Sequence, residues 1–138
     1  MRYGLAELEQ VSTWLLEQAA GFSLICFEAD LGTGKTTLIK SILKTLGSED
    51  TISSPSFGLV NEYKTGDGKP VYHFDFYRIN SPEEAIDIGW FEYLDSGGLC
   101  LVEWPEKLGN LLDKEPYLLV KIRIEDGLRQ IQLEENGV

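Results

Sequence analysis

Over the first twenty positions, Leu5, Leu8, Val11, Leu15 and Ala19 recur at helical spacing, with Glu7, Glu9, Gln10 and Glu17 between them. This predicts an amphipathic first helix ending near Gly21. Phe22 to Phe27 is a short unbroken apolar run, the pattern of a strand buried on both faces. A Gly-rich turn follows directly. Beyond it Thr36 to Leu46 reads as a second helix, with Leu38, Ile39, Ile42, Leu43 and Leu46 on its apolar face and Gly47 as C-cap. Phe57 to Lys64 and Val71 to Tyr77 read as strands flanking Gly66-Asp67-Gly68, a hairpin signal. Ser81-Pro82-Glu83-Glu84 combines a capping hydroxyl, Pro at the first helical position and Glu at the third, so a helix starts there. Leu99 to Val102 is another buried strand, ending in Glu103, and Tyr117 to Glu125 with Leu128 to Glu134 closes the chain as a hairpin around Asp126-Gly127. The order predicts one α/β domain over residues 1–138, with a central mostly parallel sheet, antiparallel hairpins and flanking helices.

Composition narrows the classes. With 138 residues, 43% of them hydrophobic, the chain is long enough for a core without disulfide staples. Twelve Lys and Arg against 23 Asp and Glu leave a net charge of -11, which argues against gripping a nucleic-acid backbone unaided. A local basic pocket or a basic protein partner stays open. Cys26 and Cys100 both lie in apolar runs and read as buried thiols, without a CxxC or Cys/His cluster for zinc. No run approaches the ~18 apolar residues of a membrane span. Nor does a basic stretch lead an apolar one at the start, so a cytoplasmic protein is expected.

The turn between the first strand and the second helix carries the chemistry. Ala29-Asp30-Leu31-Gly32-Thr33-Gly34-Lys35-Thr36 matches the phosphate-loop pattern, with Ala29 in place of its first Gly. Gly32 and Gly34 let successive N–H groups point at phosphate oxygens, and the following helix adds the positive end of its dipole. Lys35 supplies a cation for the β- and γ-phosphates, and the Thr36 hydroxyl can ligate Mg²⁺. The nucleotide-binding segment thus runs from Asp30 through Leu31, Gly32, Thr33, Gly34, Lys35 and Thr36 to Thr37. A metal and an attacking water also need carboxylates. Asp75 and Glu103 each close an apolar strand, where ligands of open α/β sheets sit, and both come close to Thr36 if their strands flank the first one.

Taken together, the loop, Ser54-Pro55-Ser56-Phe57, Leu59-Val60-Asn61-Glu62-Tyr63, His73-Phe74-Asp75-Phe76-Tyr77-Arg78 and Glu103-Trp104-Pro105-Glu106 resemble the TsaE (YjeE) family, in the family's order and over nearly the whole chain. The resemblance implies a single P-loop NTPase domain: a small bacterial ATPase that binds ATP and Mg²⁺ and hydrolyses ATP slowly. It implies a role in forming threonylcarbamoyladenosine at position 37 of tRNAs reading codons that start with A. The partners would be TsaB and TsaD, which carry out the transfer, so tRNA is met only through the complex. Lys35 and Thr36 would hold phosphate and metal, Asp75 and Glu103 would serve the metal and the attacking water, and Ser54 to Phe57 would form a switch-like segment. Gly58 stands where the family often has Thr, leaving Ser54 or Ser56 as sensors of the γ-phosphate. The N-terminal segment, near the adenine in the family, reads Tyr3-Gly4-Leu5 and lacks the matching Thr.

Two other readings stay open, a small-molecule kinase and a nucleotide-binding scaffold without turnover. A kinase commonly uses an Arg-rich lid, whereas Arg2, Arg78, Arg123 and Arg129 are widely spaced. His73, the single histidine, reads as structural rather than as a general base, and Trp14 as packing. Trp90 reads equally as core or as a docking patch, and Trp104 as a shield of the site, a partner contact or plain core.

Overall fold

The apolar run after the first helix becomes the centre of a seven-stranded sheet. A computed structural model describes residues 1–29, 35–48 and 59–137. Along the chain come β1 (Arg2–Tyr3), α1 (Leu8–Gln18), β2 (Leu24–Glu28), α2 (Lys35–Thr45), β3 (Val60–Lys64) and β4 (Pro70–Asp75). They are followed by α3 (Pro82–Asp87), α4 (Trp90–Asp95), β5 (Leu99–Glu103), β6 (Tyr117–Glu125) and β7 (Leu128–Asn136), with 3-10 segments at Leu5–Glu7 and Pro105–Leu112. The strands lie side by side in the order β1-β7-β6-β2-β5-β4-β3. The inner four run parallel, and the β3–β4 and β6–β7 hairpins and β1 add antiparallel edges. The predicted parallel centre with antiparallel hairpins beside it is what forms. Among the described residues, no helix is long and apolar enough to cross a membrane.

Strand alternation divides the core into two layers. On one face Ile25, Phe27, Val71 and Leu101 pack against Val11 and Leu15 of α1 and Leu38 and Ile42 of α2. On the other, Cys26, Phe74, Cys100 and Val102 meet Ala85, Trp90 and Leu108 from α3, α4 and the second 3-10 segment. Both cysteines are buried free thiols, and burial pushes Cys100 up to about 12 and Cys26 upward as well, so neither forms a thiolate near neutral pH. Trp90 is fully buried, with its ring edge-on to Phe74 and Phe76, so it belongs to the core rather than to a docking patch. Trp14 packs against the α1–α2 layer.

The local signals act as read. Gly47, at φ 83°, ends α2 while Ser48 N–H reaches the Leu43 carbonyl at 3.1 Å and Gly47 N–H reaches that of Lys44 at 2.9 Å. Ser81 and Glu84 form the capping box of α3. The order of strands, in contrast, differs from the simplest expectation. Of the two strands that end in Asp75 and Glu103, only β5 adjoins β2, and β4 lies one place further out because the β3–β4 hairpin takes the sheet edge. Glu103 therefore ends a neighbour of β2, and Asp75 ends a neighbour of that neighbour.

Gly98, just before β5, sits where a side chain cannot follow. A Cβ there would stand 2.8 Å from the Tyr72 ring and 3.0 Å from the Pro70 carbonyl oxygen. Gly98→Ala is expected to lower stability by about 1–3 kcal/mol through overpacking. Chemical unfolding checks it: a midpoint equal to wild type would mean that β4 and β5 have room to part.

Candidate functional site

The site forms where β2, β4, β5 and β6 present their carboxyl ends to the amino end of α2. In an open parallel sheet this rim is the cleft that helices leave uncovered. Asp30, Leu31, Gly32, Thr33 and Gly34 lie outside the described residues, as do Ser54, Ser56, Phe57 and Gly58. Lys35 and Thr36 open α2, with the orphan N–H groups of its first turn beside them. Thr37, next along the helix, is exposed.

Asp75 and Glu103 are paired in the parallel register of β4 and β5, so their side chains leave the same face of the sheet. Glu103 is nearly fully buried and Asp75 partly so. Thr36 Oγ1 donates to Glu103 Oε1 at 3.4 Å, which joins the helix start to the end of β5. The Tyr77 N–H donates to Asp75 Oδ1 at 3.0 Å. Burial holds the Asp75 carboxyl above its ordinary range and the nearby Glu103 charge adds to this, against the Tyr77 N–H, His73 and Lys35. Two carboxylates and a hydroxyl at a helix amino end are hard oxygen donors, and their crowding favours a cation among them. Among the described residues no three His, Cys, Asp or Glu side chains form a metal site of their own. Oxygen donors of this kind are the type that magnesium takes.

His73 is buried beside these carboxylates, in keeping with its reading as a structural residue rather than a general base. It lies two positions before Asp75 on the same strand face, and its Nε2 is 2.7 Å from Glu103 Oε2. The signal in the sequence was His-x-Asp on a strand, which puts both side chains on one face. What it lacked was the identity of the neighbouring strand.

Trp104 shapes the rim. Its backbone is left-handed, at φ 60° and ψ 53°, a conformation that costs a non-glycine residue about 1–3 kcal/mol and gathers at functional sites. The turn sets the indole under the Lys35 ammonium, 4.1 Å from the ring centroid, with the Tyr77 ring 4.9 Å away. Lys35 is only 6% exposed, so its charge is held at the rim rather than in open solvent. Of the three readings of Trp104, its contact with Lys35 favours the one that shields the site. Beside it a cavity of about 420 Å³ opens between Glu28, Ala29, Trp104, Glu106, Lys121 and Arg123, a size that admits a small molecule.

A sheet with a parallel centre that turns acidic strand ends toward a helix amino end defines an α/β protein. Its sequence is matched over residues 4–131 by the family model described as "Threonylcarbamoyl adenosine biosynthesis protein TsaE", and the chain belongs to that family. It is 40% identical to the tRNA threonylcarbamoyladenosine biosynthesis protein TsaE of Haemophilus influenzae over 110 residues, 80% of this chain and 68% of that protein. Against the protein of the same name from Bacillus subtilis it is 38% identical over 114 residues, 83% of this chain and 70% of the relative. Among solved structures, the crystal structure of YdiB from Bacillus subtilis superposes with a TM-score of 0.67 at 29% identity, covering 96% of this chain and 83% of that one.

Proposed function

We propose that this chain is a Mg²⁺-dependent P-loop ATPase with slow turnover, required with TsaB and TsaD for threonylcarbamoyladenosine at position 37 of tRNAs reading codons that start with A. It is not itself the transferase. The observation that carries the reading is the contact of Thr36 with Glu103 directly behind a phosphate-loop sequence. In it, residues 30–37 hold ATP, and Thr36, Glu103 and Asp75 hold the metal, which supplies charge neutralisation to the β- and γ-phosphates. Lys35 binds the same phosphates and gives up its place over Trp104 to do so. Glu103 and Asp75 orient the attacking water. The base lies beside the amino end of α1, where Leu5, Ala6 and Leu8 form a cleft with Thr37, Lys40 and Ser41 of α2. The net charge of -11 supports contact with tRNA only through the partners, and a cytoplasmic location follows from that role.

Hydrolysis by the lone chain is expected to be slow, because its transition state lacks an evident arginine finger. Arg2, on the edge strand β1, is engaged with Glu125 at 3.4 Å, which leaves Arg78 and Arg129 to contribute in cis, and an added arginine is worth roughly 10³–10⁵ in rate. Single-turnover ATP hydrolysis, with and without the TsaB–TsaD pair, tests this together with nucleotide-dependent binding to the pair. Slow turnover alone and nucleotide-dependent capture of the pair are the expected results. Turnover of the lone chain in the kinase range of about 1–100 s⁻¹ would favour a small-molecule kinase instead. No turnover under any condition would leave a scaffold.

A further inference from the structure

The His73–Glu103 pair is the most deeply enclosed polar contact at the rim. The two side chains are 1% and 4% exposed, and the strands that carry them are adjacent. Glu103 uses its two oxygens differently: Oε2 faces His73 Nε2 at 2.7 Å, and Oε1 faces Thr36 at 3.4 Å. His73 Nε2 and Glu103 Oε2 thus share one short hydrogen bond. The second ring nitrogen, Nδ1, is buried without a hydrogen-bond partner among the described residues. Leaving such a group unsatisfied is costly, whereas an apolar side chain in the middle of β4 would carry no such cost. Packing therefore does not account for a histidine here.

We infer that His73 is a positioning residue. It locks the Glu103 carboxylate by one oxygen so that the other stays aimed at Thr36 and the first turn of α2. A glutamate has three side-chain torsions, and without a fixed partner its carboxylate would sample several orientations at the rim. Hydrogen-bonding partners behind a metal ligand commonly change metal affinity or activity by 10–100-fold when removed. The inference rests on the proposed role of Glu103 at the metal and extends it to the residue that holds Glu103 from behind.

The asymmetry of the ring gives a sharp test. The amide nitrogen of glutamine can occupy the place of Nε2, whereas that of asparagine stands nearer Nδ1 and falls short of Glu103. His73→Leu, His73→Gln and His73→Asn are compared by titrating Mg²⁺ into the ADP-bound protein and reading the half-saturating concentration by calorimetry. ATP hydrolysis is followed alongside, with kcat and KM separated. The Leu and Asn variants should need 10–100-fold more Mg²⁺ and lose kcat by a similar factor with KM for ATP little changed, and the Gln variant should recover most of both. Equal behaviour of Gln and Asn, whether active or inactive, overturns the inference, and so does wild-type Mg²⁺ dependence in the Leu variant. If the Leu variant fails to fold, the Gln/Asn pair still decides. Glu103→Gln, measured in parallel, separates the two levels. Full activity there would remove the role of Glu103 itself, while its loss beside indistinguishable His73 variants would remove only the positioning role.

Discussion

Replacing Lys35 by Met is expected to weaken ATP binding by about 30-fold to 4,000-fold, the equivalent of roughly 2–5 kcal/mol for truncating one partner of a desolvated charge pair. The methionine keeps most of the unbranched stem and removes only the charge. Lys35 sits at the first position of α2, nearly buried, with its ammonium against the Trp104 ring. A cation–π contact of this kind is worth about 0.5–2 kcal/mol, less than a phosphate pair in the same enclosed place, so nucleotide can draw the ammonium away. Methionine can still pack against the indole, so the variant should remain folded. Calorimetric titration with Mg²⁺–ATP, alongside a melting curve, checks both parts. Unchanged affinity in a folded variant would take the phosphate site away from α2.

The second large effect concerns the paired carboxylates. Glu103→Gln and Asp75→Asn are each expected to reduce ATP hydrolysis by roughly 10²-fold or more, the usual scale for losing a group that handles the reacting water. Neither should unfold the protein. Asp75 accepts a hydrogen bond from the Tyr77 N–H, which an asparagine oxygen can still accept. Its pH dependence follows from the raised carboxyl. Burial first, and the Glu103 charge second, make the folded state favour protonated Asp75. A group whose pKa is raised on folding contributes stability that is present at low pH and lost as pH rises through the folded value. At pH 7, without nucleotide or metal, Asp75→Asn should therefore melt above wild type, and the gain should shrink as pH falls through the carboxylate range. Thermal melts at several pH values, paired with the hydrolysis assay, decide it. Full hydrolysis in both variants, or loss only through unfolding, would place them outside the chemistry.

Much of the architecture was legible along the chain because its signals are local. A helix announces itself through a period and its caps, as at Leu38, Ile39, Ile42 and Leu43 before Gly47, or at Ser81-Pro82. Buried strands show as unbroken apolar runs, and hairpins as Gly-rich pairs of turn residues. Elements too short for a period escaped. β1 has two residues, and α4 has six, less than two turns and largely aromatic. The second 3-10 segment follows Trp104, whose left-handed backbone no residue preference foretells.

The site divides along the same line. Phosphate-loop residues, a lysine and a threonine at the start of a helix, and carboxylates at strand ends are patterns of neighbours in sequence, and neighbours in sequence share one local geometry. Which carboxylate meets Thr36 depends on strand order, and strand order is a contest among long-range pairings that no single window records. The sheet places β5 beside β2 and sends β4 outward with β3, so Glu103 reaches Thr36 across 67 positions and Asp75 stands beside Glu103 instead. The same order brings His73 to Glu103 across 30 positions, and turns a lone histidine on an alternating strand into part of the rim. Residue chemistry was therefore written in the chain. The partner of each group was decided only when parallel pairing and the burial of both sheet faces selected one arrangement of the strands.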